Sequence, residues 1–159
     1  MVDGYFGAER AESLLFIVAG LLAVALAAWG VFRVRTPLWR GIALSLTVVA
    51  GIQLTVGVTI FLRSPQDAQR MTQALQRDHA HITGHEIPRM QRVMRSFRDY
   101  RHIELALIVV GGLLAWRARA GSMARGVGLG LVPQSALMLV LDLFAEARAD
   151  AYLAWLQAL

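Results

Sequence analysis

The sequence predicts an all-α integral membrane protein: a four-helix bundle with an amphipathic helical segment outside the membrane, between the second and third helices. Three observations predict it. Of the 159 residues, 57% are hydrophobic and 17% charged, a balance that belongs to membrane proteins. Four apolar runs approach or reach the ~20 residues that cross a bilayer as a helix. The charges between those runs are sorted by sign, as topology demands of a membrane chain.

The first span covers residues 13–32 and contains no charge. Asp3, Glu9, Arg10 and Glu12 precede it. That lead is acidic on balance, whereas a signal peptide starts basic, so the run reads as a retained helix. Arg33, Arg35 and Arg40 then flank Pro37 in a short basic loop. The second span, residues 41–62, is also uncharged and carries Thr, Val and Gly, which a helix in lipid tolerates. Ser64 and Pro65 mark a change of character and suit a new helix start.

Residues 65–99 form the predicted cap. They are polar and arginine-rich, yet Met71, Leu75, Ile82, Met90, Val93 and Phe97 recur at helical spacing. The spacing predicts an amphipathic helix to about Thr83, a break from Gly84 to Pro88, and a second helix entering the membrane. The third span, residues 100–116, is apolar only from Ile103 onward and needs the amphipathic turns before it to reach full length. Arg117, Arg119 and Arg125 surround Gly121 in a second basic loop. The fourth span covers residues 126–145, with Pro133 expected to bend it. Tyr152 and Trp155 in the tail suit a membrane interface.

All sixteen basic residues are arginines, and the formal charge is +5. Six arginines and no carboxylate lie in the two short loops. Positive loops stay cytoplasmic, which places both termini and the cap outside the cell (inner) membrane. Membrane topology therefore accounts for the basic balance, and no nucleic-acid partner is implied. No cysteine is present, so thiolate metal sites, iron–sulfur clusters, disulfides and cysteine nucleophiles are excluded.

Charged groups inside apolar runs are costly and mark functional sites by default. Glu12, Glu104, Asp142 and Glu146 all fall at the outer ends of their helices. On three helices a stripe of small residues leads to one of these acids: Ala19, Ala23 and Gly30 to Glu12, Gly111 and Ala115 to Glu104, Gly128 and Ser135 to Asp142 and Glu146. Small residues mark helix contacts in membranes. On the second helix the expected stripe is Thr47, Gly51, Thr55 and Thr59. Acids converging in a low-dielectric site need a metal, a transported ion, protons or arginine to neutralise them.

The histidines tip this choice toward metal. His81 and His85 are spaced i, i+4, which places two imidazoles on one ion, and Glu86 adjoins them. The expected ligand set is Glu12, His81, His85, Glu86, Glu104, Asp142 and Glu146, holding a divalent iron, manganese or zinc ion. Plainer readings pair Arg101 with Glu104 and Arg148 with Glu146, leave His102 solvated, and assign Met90, Met94 and Phe97 to packing. Helical bundles that hold metals through carboxylate and histidine are known, but their Glu-x-x-His signature is absent. The His85-Glu86-Ile87-Pro88 fragment resembles the basic His/Glu/Pro loop of the microsomal glutathione transferases. In that family the loop follows the first span, whereas here it follows the second, so no activity is carried over.

Three function classes emerge. One is a metal-binding membrane protein, as metalloenzyme or otherwise, with its site at the outer leaflet. The second is a proton or ion carrier or channel that uses the buried carboxylates. The third is a non-catalytic subunit whose arginine-rich outer helix binds anionic lipid or a partner membrane protein. The lipid bilayer is a partner in all three, and each is compatible with a homo-oligomer. The histidines favour the first.

Overall fold

Thr36 and Pro37 set the start of the second helix. The Thr36 hydroxyl accepts from the Trp39 N–H at 3.2 Å, and Pro37 needs no N–H partner in a first turn. Before it, Arg35 takes a left-handed conformation at φ 54°, closing a tight turn after the first helix. The second short loop turns at Gly121, φ 77°, and Ser122 caps the next helix by accepting from the Arg125 N–H at 3.3 Å. Both basic loops are thus short because local turn and capping chemistry ends and restarts a helix within a few residues.

The structure, a computed structural model, describes residues 2–77 and 82–158. It is all-α: α1 (Val2–Arg33), α2 (Pro37–Arg77), a π-helical turn (Ile82–Glu86), α3 (Ile87–Arg117) and α4 (Met123–Gln157). α1 packs along α2 and α3 along α4, as two antiparallel hairpins. α2 and α4 join the hairpins side by side. One end of the molecule carries both short loops and the other carries both termini. These are the loop end and the termini end.

α1, α2 and α4 are long and apolar enough to cross a membrane. α3 is not among them: its apolar stretch begins only at Ile103, because five arginines punctuate its first half. Large apolar side chains cover the outside of the bundle, among them Leu22 at 65%, Phe32 at 70%, Trp116 at 74% and Phe144 at 66% exposed. The middle of the interior is correspondingly small-residued, with Ala23, Ala27, Ala43, Leu46 and Ala50 in one cluster.

Glycines let the backbones approach. A Cβ on Gly126 would lie 1.9 Å from the Leu38 carbonyl oxygen, and one on Gly41 would lie 2.0 Å from that of Met123. On the α3–α4 seam a Cβ on Gly128 would meet the Gly111 carbonyl at 2.3 Å. Backbone cannot swing aside as a side chain can, so Gly126→Ala must part α2 from α4. We expect it to cost about 1–3 kcal/mol, the usual range for overpacking, read as a lower thermal midpoint of the helical signal in detergent. Gly112→Ala, with nothing within 4 Å of the added carbon, should be neutral or mildly stabilising.

Two sequence expectations need correction. α2 does not end at Pro65 but runs through it to Arg77. One proline removes one helix hydrogen bond, and burial of Met71 and Ala74 holds the following turns in register. The expected small stripe on α2 also faces outward: Thr47, Gly51, Thr55 and Thr59 are exposed, whereas Ala43, Leu46, Val49, Ala50, Gln53, Gly57 and Ser64 are buried. Thr55 and Thr59 satisfy their hydroxyls by donating to the Gly51 and Thr55 carbonyls at 2.8 and 2.7 Å. A threonine can therefore face outward without a partner helix.

The cap is docked. Val2, Tyr5, Phe6, Met71, Met90, Ala149, Tyr152 and Leu156 form a buried cluster at the termini end, with Leu75, Val93 and Phe97 packed against it. The amphipathic stripes read from residues 65–99 bury here, and Met90 is fully enclosed at 0% exposure. The π turn, Ile82–Glu86, overlaps the break expected at Gly84 to Pro88. The side chains of Ile82 and Thr83 and all of residues 78–81 lie outside the described residues.

Candidate functional site

Glu12 on α1, Glu104 on α3, and Asp142 and Glu146 on α4 come together just below the cap. Asp142 lies within electrostatic reach of the other three. Each stripe of small residues delivers its acid to the same interior, as the spacing predicts, with one refinement. On α1 the buried line runs Glu9, Ser13, Phe16, Gly20, Ala23, Ala27 and Gly30, so Glu9 is the more enclosed acid and Glu12 sits at the edge facing α4.

Two of the four acids are neutralised by arginine from another helix. Arg148 on α4 pairs with Glu12 on α1. Arg101 on α3 pairs with Glu146 on α4. The sequence offered Arg101 with Glu104 and Arg148 with Glu146, both within one helix. The fold selects partners across helices instead, so each pair ties two elements together.

Glu104 and Asp142 are left facing each other across the α3–α4 seam, in hydrogen-bonding reach. Glu104 is 3% exposed, and neither of its oxygens meets an N–H or O–H donor elsewhere in the protein. Glu12 Oε2 and the Nε atoms of Arg101 and Arg148 are likewise buried without a hydrogen-bond partner. Buried polar atoms are nearly always partnered by protein or water, so the cluster is under-satisfied relative to a purely structural ion-pair network.

Glu86 belongs to a separate layer above. It grips Arg89 through two bonds, Arg89 Nε to Oε2 at 2.8 Å and Nη2 to Oε1 at 2.6 Å. That pairing holds the Arg89 guanidinium charged beyond its ordinary range. Tyr152 points its hydroxyl at Glu86 from 3.5 Å and stacks on Tyr5, ring centroids 4.1 Å apart. Arg148 lies over the other tyrosine, its guanidinium carbon 5.6 Å from the Tyr5 ring centre. The stacked tyrosines thus link the Glu86–Arg89 pair above to the Arg148–Glu12 pair below. Glu86 does not join the four lower acids.

His85 is exposed on the π turn beside Glu86 and makes an interaction of its own. His79 and His81 lie outside the described residues. Among the described residues, no group of three His, Asp or Glu side chains is arranged to hold a metal ion. His102 is exposed, as expected.

Burial pushes the Tyr5 phenol up from 10.0 to about 12, with the Glu9 carboxylate adding to it; burial and then Glu86 raise Tyr152 as well. The folded cap therefore favours the neutral phenol. Its contribution to stability is complete below about pH 10 and is lost as pH rises through about 12. We expect the thermal midpoint to fall across that window. Tyr5→Phe should flatten the fall, and an unchanged slope would show that Tyr5 does not titrate in the cap.

Two features of the interior were not anticipated. Glu9 accepts from the Ser64 hydroxyl at 2.6 Å and lies 3.8 Å from Arg63, which also holds Asp67 at 2.9 Å. Gln134 on α4 donates to the Gln53 side-chain carbonyl on α2, in the middle of the bundle. Ser135, next along α4 from Gln134 and on the inward stripe the spacing predicts, is 1% exposed. The signal for the glutamines was present: each is the lone amide in its apolar run, and the rule that singled out the carboxylates applies to amides too. Comparison with protein-family models, curated proteins and solved structures finds no match for this chain.

Proposed function

We propose that this chain is a multi-pass membrane protein that moves protons, with the Glu104–Asp142 carboxyl pair as its protonatable site. One observation carries the reading. Arginines already neutralise Glu12 and Glu146, while Glu104 is enclosed opposite a second carboxyl with no donor for either oxygen. A proton lying between the two carboxyls supplies that donor and removes the repulsion between like charges. A carboxyl pair sharing a proton, in an apolar helix seam near a membrane surface, is the construction of a relay.

The bilayer setting rests on the three apolar helices and the apolar outer surface. α3 completes four spans by joining its short apolar stretch to its amphipathic turns. Arg92, Arg95 and Arg98 on the exposed face of α3 would then lie at the outer surface, where they can bind anionic headgroups. Both termini would be extracytoplasmic. A periplasmic reporter fused after Leu159 should be active and a cytoplasmic one silent, and the reverse would invert the pathway.

The test is reconstitution. Liposomes loaded with a pH-sensitive dye and given a potassium diffusion potential should acidify or alkalise faster with the protein than without it. Absence of protein-dependent flux, together with stoichiometric iron, manganese or zinc in the purified protein, would overturn the reading and assign the acids to a metal.

A further inference from the structure

We propose that Gln53, Gln134 and Ser135 form a second station of this pathway in mid-membrane, holding a file of water that carries the proton between the Glu104–Asp142 pair and the inner half of the bundle. The inference rests on the proton reading above but concerns residues that reading does not use.

Position is the first argument. Ser135 lies on the same stripe of α4 as Asp142, seven residues toward the loop end, or about 10 Å at the helical rise. Gln134 is its neighbour on the stripe that faces α2, where it meets Gln53. Toward the loop end the α3–α4 seam closes on Gly111 and Gly128, backbone against backbone. A path descending from the carboxyl pair along α4 therefore continues toward α2 and reaches the two amides.

Unspent hydrogen bonds are the second argument. Gln53 is 0% exposed and Ser135 1%, yet Gln53 Nε2 and Ser135 Oγ meet no partner within the protein. A helical serine normally spends its hydroxyl on a carbonyl one turn back. Ser45 does so at 2.9 Å and Ser13 does so at 2.7 Å, but Ser135 does not. A buried amide N–H and a buried hydroxyl left without partners offer a donor and a donor–acceptor to water. Buried water needs two to four such partners.

Interhelical adhesion is the plainer role for a Gln–Gln bond, since amides hold helices together in membranes. It accounts for the bond that is made. It does not account for the Gln53 N–H and the Ser135 hydroxyl, both buried and spent on nothing. A station does: each proton hop breaks one O–H bond on the donor and forms one on the next water. The glutamines and the serine hold the waters and gain no net proton.

Gln53→Leu and Ser135→Ala test this in the same liposomes, alongside infrared titration of the carboxyl pair. We expect each variant to lose flux, roughly 10- to 100-fold as for a mispositioned transfer group, while the protonated-carboxyl band of Glu104 and Asp142 remains and titrates as in the wild type. Gln53→Asn, which keeps the amide, should recover part of the flux. Wild-type flux in both variants, with the band intact, overturns the station and leaves the carboxyl pair standing. A wild type with neither flux nor a titrating carboxyl band removes the pair, and the station with it. Should Gln53→Leu lower the thermal midpoint, Ser135→Ala decides alone, because it deletes one oxygen and scarcely changes packing.

Discussion

Glu104→Gln should abolish protein-dependent proton flux while leaving the helical content and thermal midpoint near those of the wild type. Glutamine keeps the shape of the side chain and supplies an N–H to Asp142, so the donor that Glu104 lacks in the seam is now built in. The seam should not weaken. The exchangeable proton, however, is gone. A positioned proton-transfer group contributes roughly 10²–10⁴ in rate, and a loss of at least about 100-fold is expected. Asp142→Asn should act alike, since the two carboxyls are halves of one site, and the double variant should be no worse than either single one. The infrared band of a protonated carboxyl should disappear in step with the flux. Flux in Glu104→Gln at the wild-type level would sink the assignment. A large loss of stability with flux per folded molecule preserved would make the pair a structural element only.

The helical class, the two short loops and the docking of the cap were legible because each follows from local rules acting over many residues. Runs of uncharged apolar side chains, the basic breaks around Pro37 and Gly121, and the Met71, Val93, Phe97 periodicity all act within a few turns of chain. The convergence of Glu12, Glu104, Asp142 and Glu146 was legible for a related reason: helices of similar length that share one end of the bundle bring acids near that end to one depth. The pairings were not legible. Arg101 stands three residues before Glu104 and Arg148 two after Glu146, so sequence proximity favours bonds within a helix. The choice of Arg101 for Glu146 and Arg148 for Glu12 depends on the rotation of α1 and α3 about α4, which no periodicity states. The α2 stripe failed for a chemical reason. Thr47, Thr55 and Thr59 count as small and polar, hence inward, but a helical threonine can satisfy itself on its own backbone and face outward. The most deeply buried α2 polar residue is Gln53, whose amide has no such local outlet and so had to find Gln134.

The second large effect is expected at Arg148. Arg148→Leu should destabilise the protein more than any other single replacement of an arginine. α1 touches α4 less extensively than it touches α2, so the Arg148–Glu12 pair is the chief polar tie between the first and last helices. It also keeps Arg148 against the face of Tyr5. Removing the guanidinium leaves Glu12 with no counter-charge, its Oε2 already unpartnered, and in reach of Asp142. Breaking an enclosed ion pair from one side costs about 3–5 kcal/mol. Here the side chains retain 18% and 23% exposure, so about 2–3 kcal/mol is the better expectation once solvent screening is allowed for. Replacing both partners is a different experiment. Glu12→Leu combined with Arg148→Leu removes the stranded charge and puts apolar surface at an apolar seam, and such exchanges are often neutral or stabilising. The double variant should therefore unfold near the wild-type temperature, with the single Arg148→Leu well below both. A single variant as stable as the wild type would mean that the pair is held by the surrounding fold and contributes nothing to it. A double variant as unstable as the single one would place the loss in the Arg148–Tyr5 contact, not in the charge left on Glu12.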